Sequence, residues 1–295
     1  DHRDLHLSIR RQRQMCIRDR FAAVLHASWN AILKRGEDKR LQMTAIAVGH
    51  LPFAPIAIYF APSLDLACWP YLVLGAIFHL GYQYYLVESY KKGDLSQVYP
   101  IARASAPLLV TCISALFLNV NLNFSDYLGI VIIALGLIVS SGIYRLKIPT
   151  GAVGSALITG LFISAYSLSD GYGGRIGNSP IAFYAWLAII NGIIWVIYIL
   201  IASPSSLPKL IGPAKGSLII GGSASYLAYS LIMYAFSKAP IAVVMALRET
   251  SIIFAILLGV IFLKETFTVP KLLGTALTLI AVSYTHLTLP TNREV

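Results

Sequence analysis

Residues 240–263 read PIAVVMALRETSIIFAILLGVIFL, an apolar run interrupted only by Arg248-Glu249-Thr250-Ser251 at its middle. A helix rising about 1.5 Å per residue needs roughly 20 residues to cross the ~30 Å hydrocarbon core of a bilayer, and this run has that length. It is continuously apolar, whereas a membrane barrel strand alternates over about 10 residues. Outward from it, nine more stretches of the same kind follow one another between short polar breaks such as Lys91-Lys92-Gly93-Asp94 and Ser203-Pro204-Ser205-Ser206. The expected spans are 21–34, 41–61, 68–90, 95–119, 124–144, 150–170, 180–202, 214–237, 240–263 and 270–284. With 57% hydrophobic and 12% charged residues and a mean hydropathy of +0.72, there is too little polar surface for a water-soluble globule. The expected fold class is therefore an all-α integral membrane protein of ten transmembrane helices.

The ends of the chain read differently. Residues 1–20 hold Arg3, Arg10, Arg11, Arg13, Arg18 and Arg20 against Asp1, Asp4 and Asp19, a string that enters lipid only at high cost. Both this segment and residues 285–295 resemble translated sequencing-adaptor read-through, so both are expected to be foreign; a basic cytoplasmic tail is the other reading. The remaining basic excess of a chain with net charge +10 lies in loops, and no nucleic-acid partner is inferred. Cys16, Cys68 and Cys112 have no paired spacing for a metal or a disulfide framework, and no cofactor is expected.

Two halves are related at an offset of 145 residues. Val98 meets Val243, Arg103 meets Arg248, Phe117-Leu118 meets Phe262-Leu263 and Leu128-Gly129 meets Leu273-Gly274. The halves, 21–148 and 149–284, would each hold five spans. An odd number makes the second half enter the membrane in the opposite sense, an inverted repeat whose midplane interface is the usual site of a transported solute. Lysine and arginine cluster after the odd-numbered spans, at Lys34, Arg35, Lys39, Arg40, Lys91, Lys92, Arg145, Lys147, Lys209, Lys215, Lys264 and Lys271. On loop charge alone that face is cytoplasmic and both termini lie outside.

Arg248 and Glu249 fall about nine residues into their span, near the bilayer centre, where an ionised side chain costs at least about 2.5–3.5 kcal/mol without a partner or a wet cavity. Either Arg248 attracts an anionic group of a solute, or Glu249 exchanges a proton that drives transport, or an interhelical ion pair fixes the bundle. Arg103, its repeat mate, would make a cavity electropositive from both sides, or snorkel. In the first span His26, Trp29, Asn30 and Lys34 share one face; Trp29 would wall a solute site and Asn30 would either line it or glue helices. The third span offers two faces, His79/Tyr82/Gln83 and Tyr84/Tyr85/Glu88, and the second is favoured as cavity lining, together with Tyr226 and Tyr229 of the eighth span. Asp170, before Gly171-Tyr172-Gly173-Gly174, reads as a helix-end residue, and Lys264-Glu265-Thr266 as a cap or tether of its turn.

Leu25-His26-Ala27-Ser28-Trp29-Asn30-Ala31-Ile32-Leu33-Lys34 resembles the first-helix signature of the EamA-type branch of the drug/metabolite transporter superfamily. Ala246-Leu247-Arg248-Glu249-Thr250-Ser251, with Phe262-Leu263-Lys264-Glu265-Thr266 and Gly274, resembles that family's ninth and tenth helices. The resemblance implies two inverted five-helix halves in the plasma membrane and the export of small organic metabolites or drug-like solutes, with cytoplasmic termini, against the loop charges. A sugar-phosphate or nucleotide-sugar antiporter is the alternative that two arginines would suit. An integral-membrane enzyme stands as the alternative of another class, though the sequence shows no clustered metal ligands and no nucleophile with an evident base.

Overall fold

The computed structural model describes residues 21–118, 123–141, 149–266 and 268–288. The segments expected to be foreign therefore lie outside the described residues, except 285–288. Among the described residues all regular structure is helical. The helices are α1 (residues 21–35), α2 (Lys39–Val48), α3 (Phe53–Phe60), α4 (Trp69–Lys92), α5 (Leu95–Phe117), α6 (Phe124–Ser141), α7 (Thr150–Ile176), α8 (Pro180–Ala202), α9 (Gly222–Phe236), α10 (Ile241–Leu247), α11 (Ser251–Leu263) and α12 (Val269–Thr288).

Among the described residues seven segments are long and apolar enough to cross a membrane: Lys39–Phe60, Leu95–Phe117, Phe124–Ser141, Thr150–Ile176, Pro180–Ala202, Ser217–Phe236 and Ile241–Leu263. Three of the ten expected spans fall outside this set for different reasons. Helix α1 has 15 described residues and α12 contributes Val269–Ile280 to the residues searched, both below the length of a span; α4 has the length, 24 residues, but its tyrosines, His79 and Gln83 dilute its hydropathy. Large apolar side chains are exposed in rows on the outward faces, among them Val73 and Ile77 of α4, Val131, Leu135 and Ile138 of α6, and Ile193, Ile197 and Leu200 of α8. Rows of this extent on the outside of a bundle are a lipid-facing surface.

The helix ends sort into two groups. At one end Lys34 Nζ donates to the carbonyls of Tyr90 (2.9 Å) and Gly93 (2.6 Å), and Arg40 lies 3.8 Å from Glu88. At the same end Glu265 accepts from the backbone N–H groups of Leu95 and Ser96, at 2.9 and 3.0 Å. That carboxylate caps α5, two donors of an otherwise unpartnered helix start, and so ties the ninth-to-tenth connection to the other half of the chain. At the opposite end Arg175 donates to the carbonyls of Phe236 and Ala239, and the N–H of Asp65 to Gly177.

Backbone irregularities cluster at mid-depth. The second span breaks between α2 and α3 over Gly49-His50-Leu51-Pro52, where proline starts a new helix rather than continuing the old one. Facing it, residues Ser217–Gly221 form a π turn, and a β-carbon on Gly222 would lie 2.7 Å from Gly49 Cα, so only glycine allows this approach. The ninth span tightens to 3-10 geometry over Arg248–Thr250, and α5 carries Pro100 and Pro107 on either side of Arg103. Such departures are tolerated at membrane depth only where protein or a cavity covers the freed groups. Elsewhere small residues let backbones touch: Gly136 and Gly274 join α6 to α12, and a β-carbon on Gly274 would overlap the backbone of Ser140 and Gly136.

Candidate functional site

The break after α2 borders a cavity of about 50 Å³, lined by His26, Trp29, His50, His79, Tyr82, Gln83, Tyr166, Tyr184, Asn191 and Tyr229 among others. That is room for a few waters and not for an organic solute. The described conformation is therefore a contracted one. Its walls come from α1, α4, α7, α8 and α9 and from the break after α2, so both halves contribute.

Beside this cavity lies a buried charge cluster. Arg103 Nε donates to Glu249 Oε2 at 3.0 Å, and Nη2 stands 2.9 Å from Oε1. The two side chains are 2% and 0% exposed, and the guanidinium lies 5.7 Å from the Tyr99 ring centroid. Arg103 Nη1 is 3.5 Å from His26 Nε2, while Trp29 Nε1 donates to His26 Nδ1 at 3.2 Å. A neutral imidazole has one acceptor nitrogen, so the nearer indole takes it. Glu249 is thus the fixed counter-ion of Arg103.

Arg248 has no such partner. It is 7% exposed, its Nη1 donates to Met245 Sδ at 3.2 Å, and its Nε and Nη2 donors meet no acceptor. Its charge rests instead on the face of Tyr229, 5.9 Å from the ring centroid. Tyr229 is the wall between Arg248 and the cavity. Its hydroxyl donates to Asp170 Oδ2 at 2.5 Å, and His79 Nε2 lies 2.8 Å from the same oxygen. Gln83 and Asn191 pair through both amide groups, at 2.9 and 3.3 Å.

Several sequence expectations change here. Tyr84, 37% exposed, packs on Tyr85 and Tyr198; Tyr85 stacks on Phe162; and Glu88 pairs with Lys91 at 2.7 Å at the basic end. The structure places all three away from the cavity, Tyr84 against α8, Tyr85 against α7 and Glu88 at the basic end, and turns His79, Tyr82 and Gln83 toward it. Asn30 is buried between the carbonyl of His26 and the hydroxyl of Tyr90, a bridge between α1 and α4. Tyr226 packs against Phe53, His50 and Tyr184 and stands behind the lining. Trp29 and Tyr229 do line the cavity.

Asp170 is not a helix-end residue. It is completely buried within α7, because Gly171, Gly173 and Gly174 are contact points for Ile241, Phe183 and Met233 and not a chain break. The available signal was an ionisable residue inside an apolar span. The paired-arginine cavity also changes: Arg103 is neutralised by Glu249, whereas Arg248 has no carboxylate partner and its Nε and Nη2 meet no acceptor. Nothing in the sequence marked His50, Tyr184 or Asn191, whose roles come from the broken second span and from α8.

The described residues form an all-helical, membrane-embedded bundle with a polar, aromatic-walled core to which both halves contribute. The EamA-like transporter family matches twice, over residues 21–142 and 150–286, and the chain belongs to that family. It is a multi-pass membrane protein of a transporter family. No curated protein matches the sequence. A solved crystal structure, described only as that of a protein, aligns with a TM-score of 0.68 at 16% identity, covering 92% of this chain and 96% of that one; at this identity the likeness is one of fold.

Proposed function

We propose that the chain is a secondary carrier exporting small organic metabolites or drug-like solutes across the plasma membrane by alternating access. Its ten crossings are the seven long apolar segments together with α1, α4 and α12, arranged as two inverted halves of five. The sorting of helix ends into a basic group and its opposite supports that threading. Arg248 carries the functional reading. A buried guanidinium with two unsatisfied donors is costly to leave unpaired, and it sits one tyrosine ring from a cavity between the halves. As the contracted cavity opens, Tyr229 moves aside and Arg248 receives an anionic group of the solute. One free guanidinium suits a single carboxylate or comparable monoanion better than the two-arginine clamp a nucleotide-sugar site would use.

The test is solute exchange in proteoliposomes with radiolabelled carboxylates, amines and neutral solutes. Removing one charge-assisted contact worth about 1.5–3 kcal/mol should slow exchange of the transported solute about 10- to 100-fold. Arg248→Ala with that loss and an unchanged melting profile supports the reading. An unchanged exchange rate removes Arg248 from the site, and a chemically altered solute makes the protein an enzyme.

A further inference from the structure

We infer that His79, Asp170 and Tyr229 form the proton-binding site of this carrier, and that Glu249 does not; the inference rests on the carrier reading above. Asp170 is 0% exposed. One of its oxygens receives both donors, His79 Nε2 at 2.8 Å and the Tyr229 hydroxyl at 2.5 Å. The other, Oδ1, has no donor and faces Gly75, where a β-carbon would overlap it. The carboxyl group is thus held inside the bundle by one imidazole nitrogen and one phenol hydroxyl.

Its surroundings are explicit. From α4 His79 meets it, with Tyr82 edge-on to the imidazole; from α7 Tyr166 stacks on the imidazole at 4.1 Å. From α9 comes Tyr229, and from α8 Tyr184, which packs on the Tyr229 ring. His50 lines the same cavity from the break after α2. Beyond Tyr229 stands Arg248; Arg103 of α5 is taken up by Glu249. Protonating Glu249 would strand the Arg103 guanidinium, which stays charged at any accessible pH. The His79–Asp170 pair has no such penalty.

The proton has a route and an acceptor. His79 lines the cavity and its side chain is 13% exposed. With its hydrogen on Nε2 directed at Asp170, Nδ1 carries the ring's lone pair and takes a proton from cavity water, and the pair goes from one negative charge to none. An anionic group arriving at Arg248 adds one negative charge on the far side of Tyr229. Proton and anion together leave the core's net charge unchanged, so each raises the affinity of the other, reciprocally.

Infrared difference titration of the purified protein in lipid, with no solute present, tests the site directly. The account expects an uptake of about one proton per chain whose bands move with labelled aspartate and histidine and not with labelled glutamate. The step should be lost in Asp170→Asn and His79→Phe and kept in Arg248→Ala and Glu249→Gln. Persistence in Asp170→Asn, or bands that follow labelled glutamate in the wild type, overturns the assignment even if Glu249→Gln fails to fold. In proteoliposomes Asp170→Asn should exchange solute at a rate independent of pH, and a retained pH profile also counts against the site. If no solute moves at all, the carrier reading fails while the titration still reports on the proton.

Discussion

Arg103 and Glu249 form a buried ion pair, with Nη2 2.9 Å from Oε1. Breaking a buried ion pair by removing one partner costs about 3–5 kcal/mol, because the other charge is left bare, while replacing both by apolar groups is often neutral. Arg103→Met alone should therefore lower the melting temperature sharply, and Arg103→Met/Glu249→Leu should recover most of the loss. A double variant as unstable as the single one would mean that the pair is not the cause. The sequence made Arg103, Arg248 and Glu249 visible as charges at membrane depth, and the offset of 145 aligned the two arginines. It did not reveal which arginine Glu249 serves, since that depends on how α5 meets the 3-10 segment at Arg248–Thr250. The same holds for α4: a helix with aromatic and polar residues on two faces states no preference until its neighbours are placed.

Close backbone contact at bare glycines organises the elements. The α6–α12 contact relies on Gly136 and Gly274, and a side chain on Gly274 has nowhere to go. Gly274→Leu should cost about 1–3 kcal/mol or more by overpacking, seen as a lower melting temperature in detergent. Gly154→Leu, where an added β-carbon meets nothing within 4 Å, is the control and should be close to neutral; equal losses at both positions would refute the packing argument. Helix order was largely legible from apolar runs, and the spans near 95–119, 124–144 and 180–202 recur as α5, α6 and α8; of the ten crossings expected, seven have the length and hydropathy among the described residues. The failures share one cause. Glycines after Asp170 read as a chain break, and a proline at position 52 did not read as one, because packing decides whether either residue ends a helix.

At the scale of the molecule, two halves of one ancestry meet around a small wet space with Arg248 on one side of Tyr229 and Asp170 on the other. The family was readable in the sequence because it rests on local strings; the cavity was not, because its walls come from six separate segments. On the proposed carrier reading, a space of this size has to open before a solute enters, and alternate opening at the two ends is the form of that motion proposed above. Ser225 lines the cavity and is the natural reporter. The decisive measurement places a cysteine there, in a chain whose Cys16, Cys68 and Cys112 have been replaced, and labels it with a membrane-impermeant thiol reagent in right-side-out and inverted vesicles. Alternating access predicts modification from both sides; modification from one side only, or from neither, contradicts it.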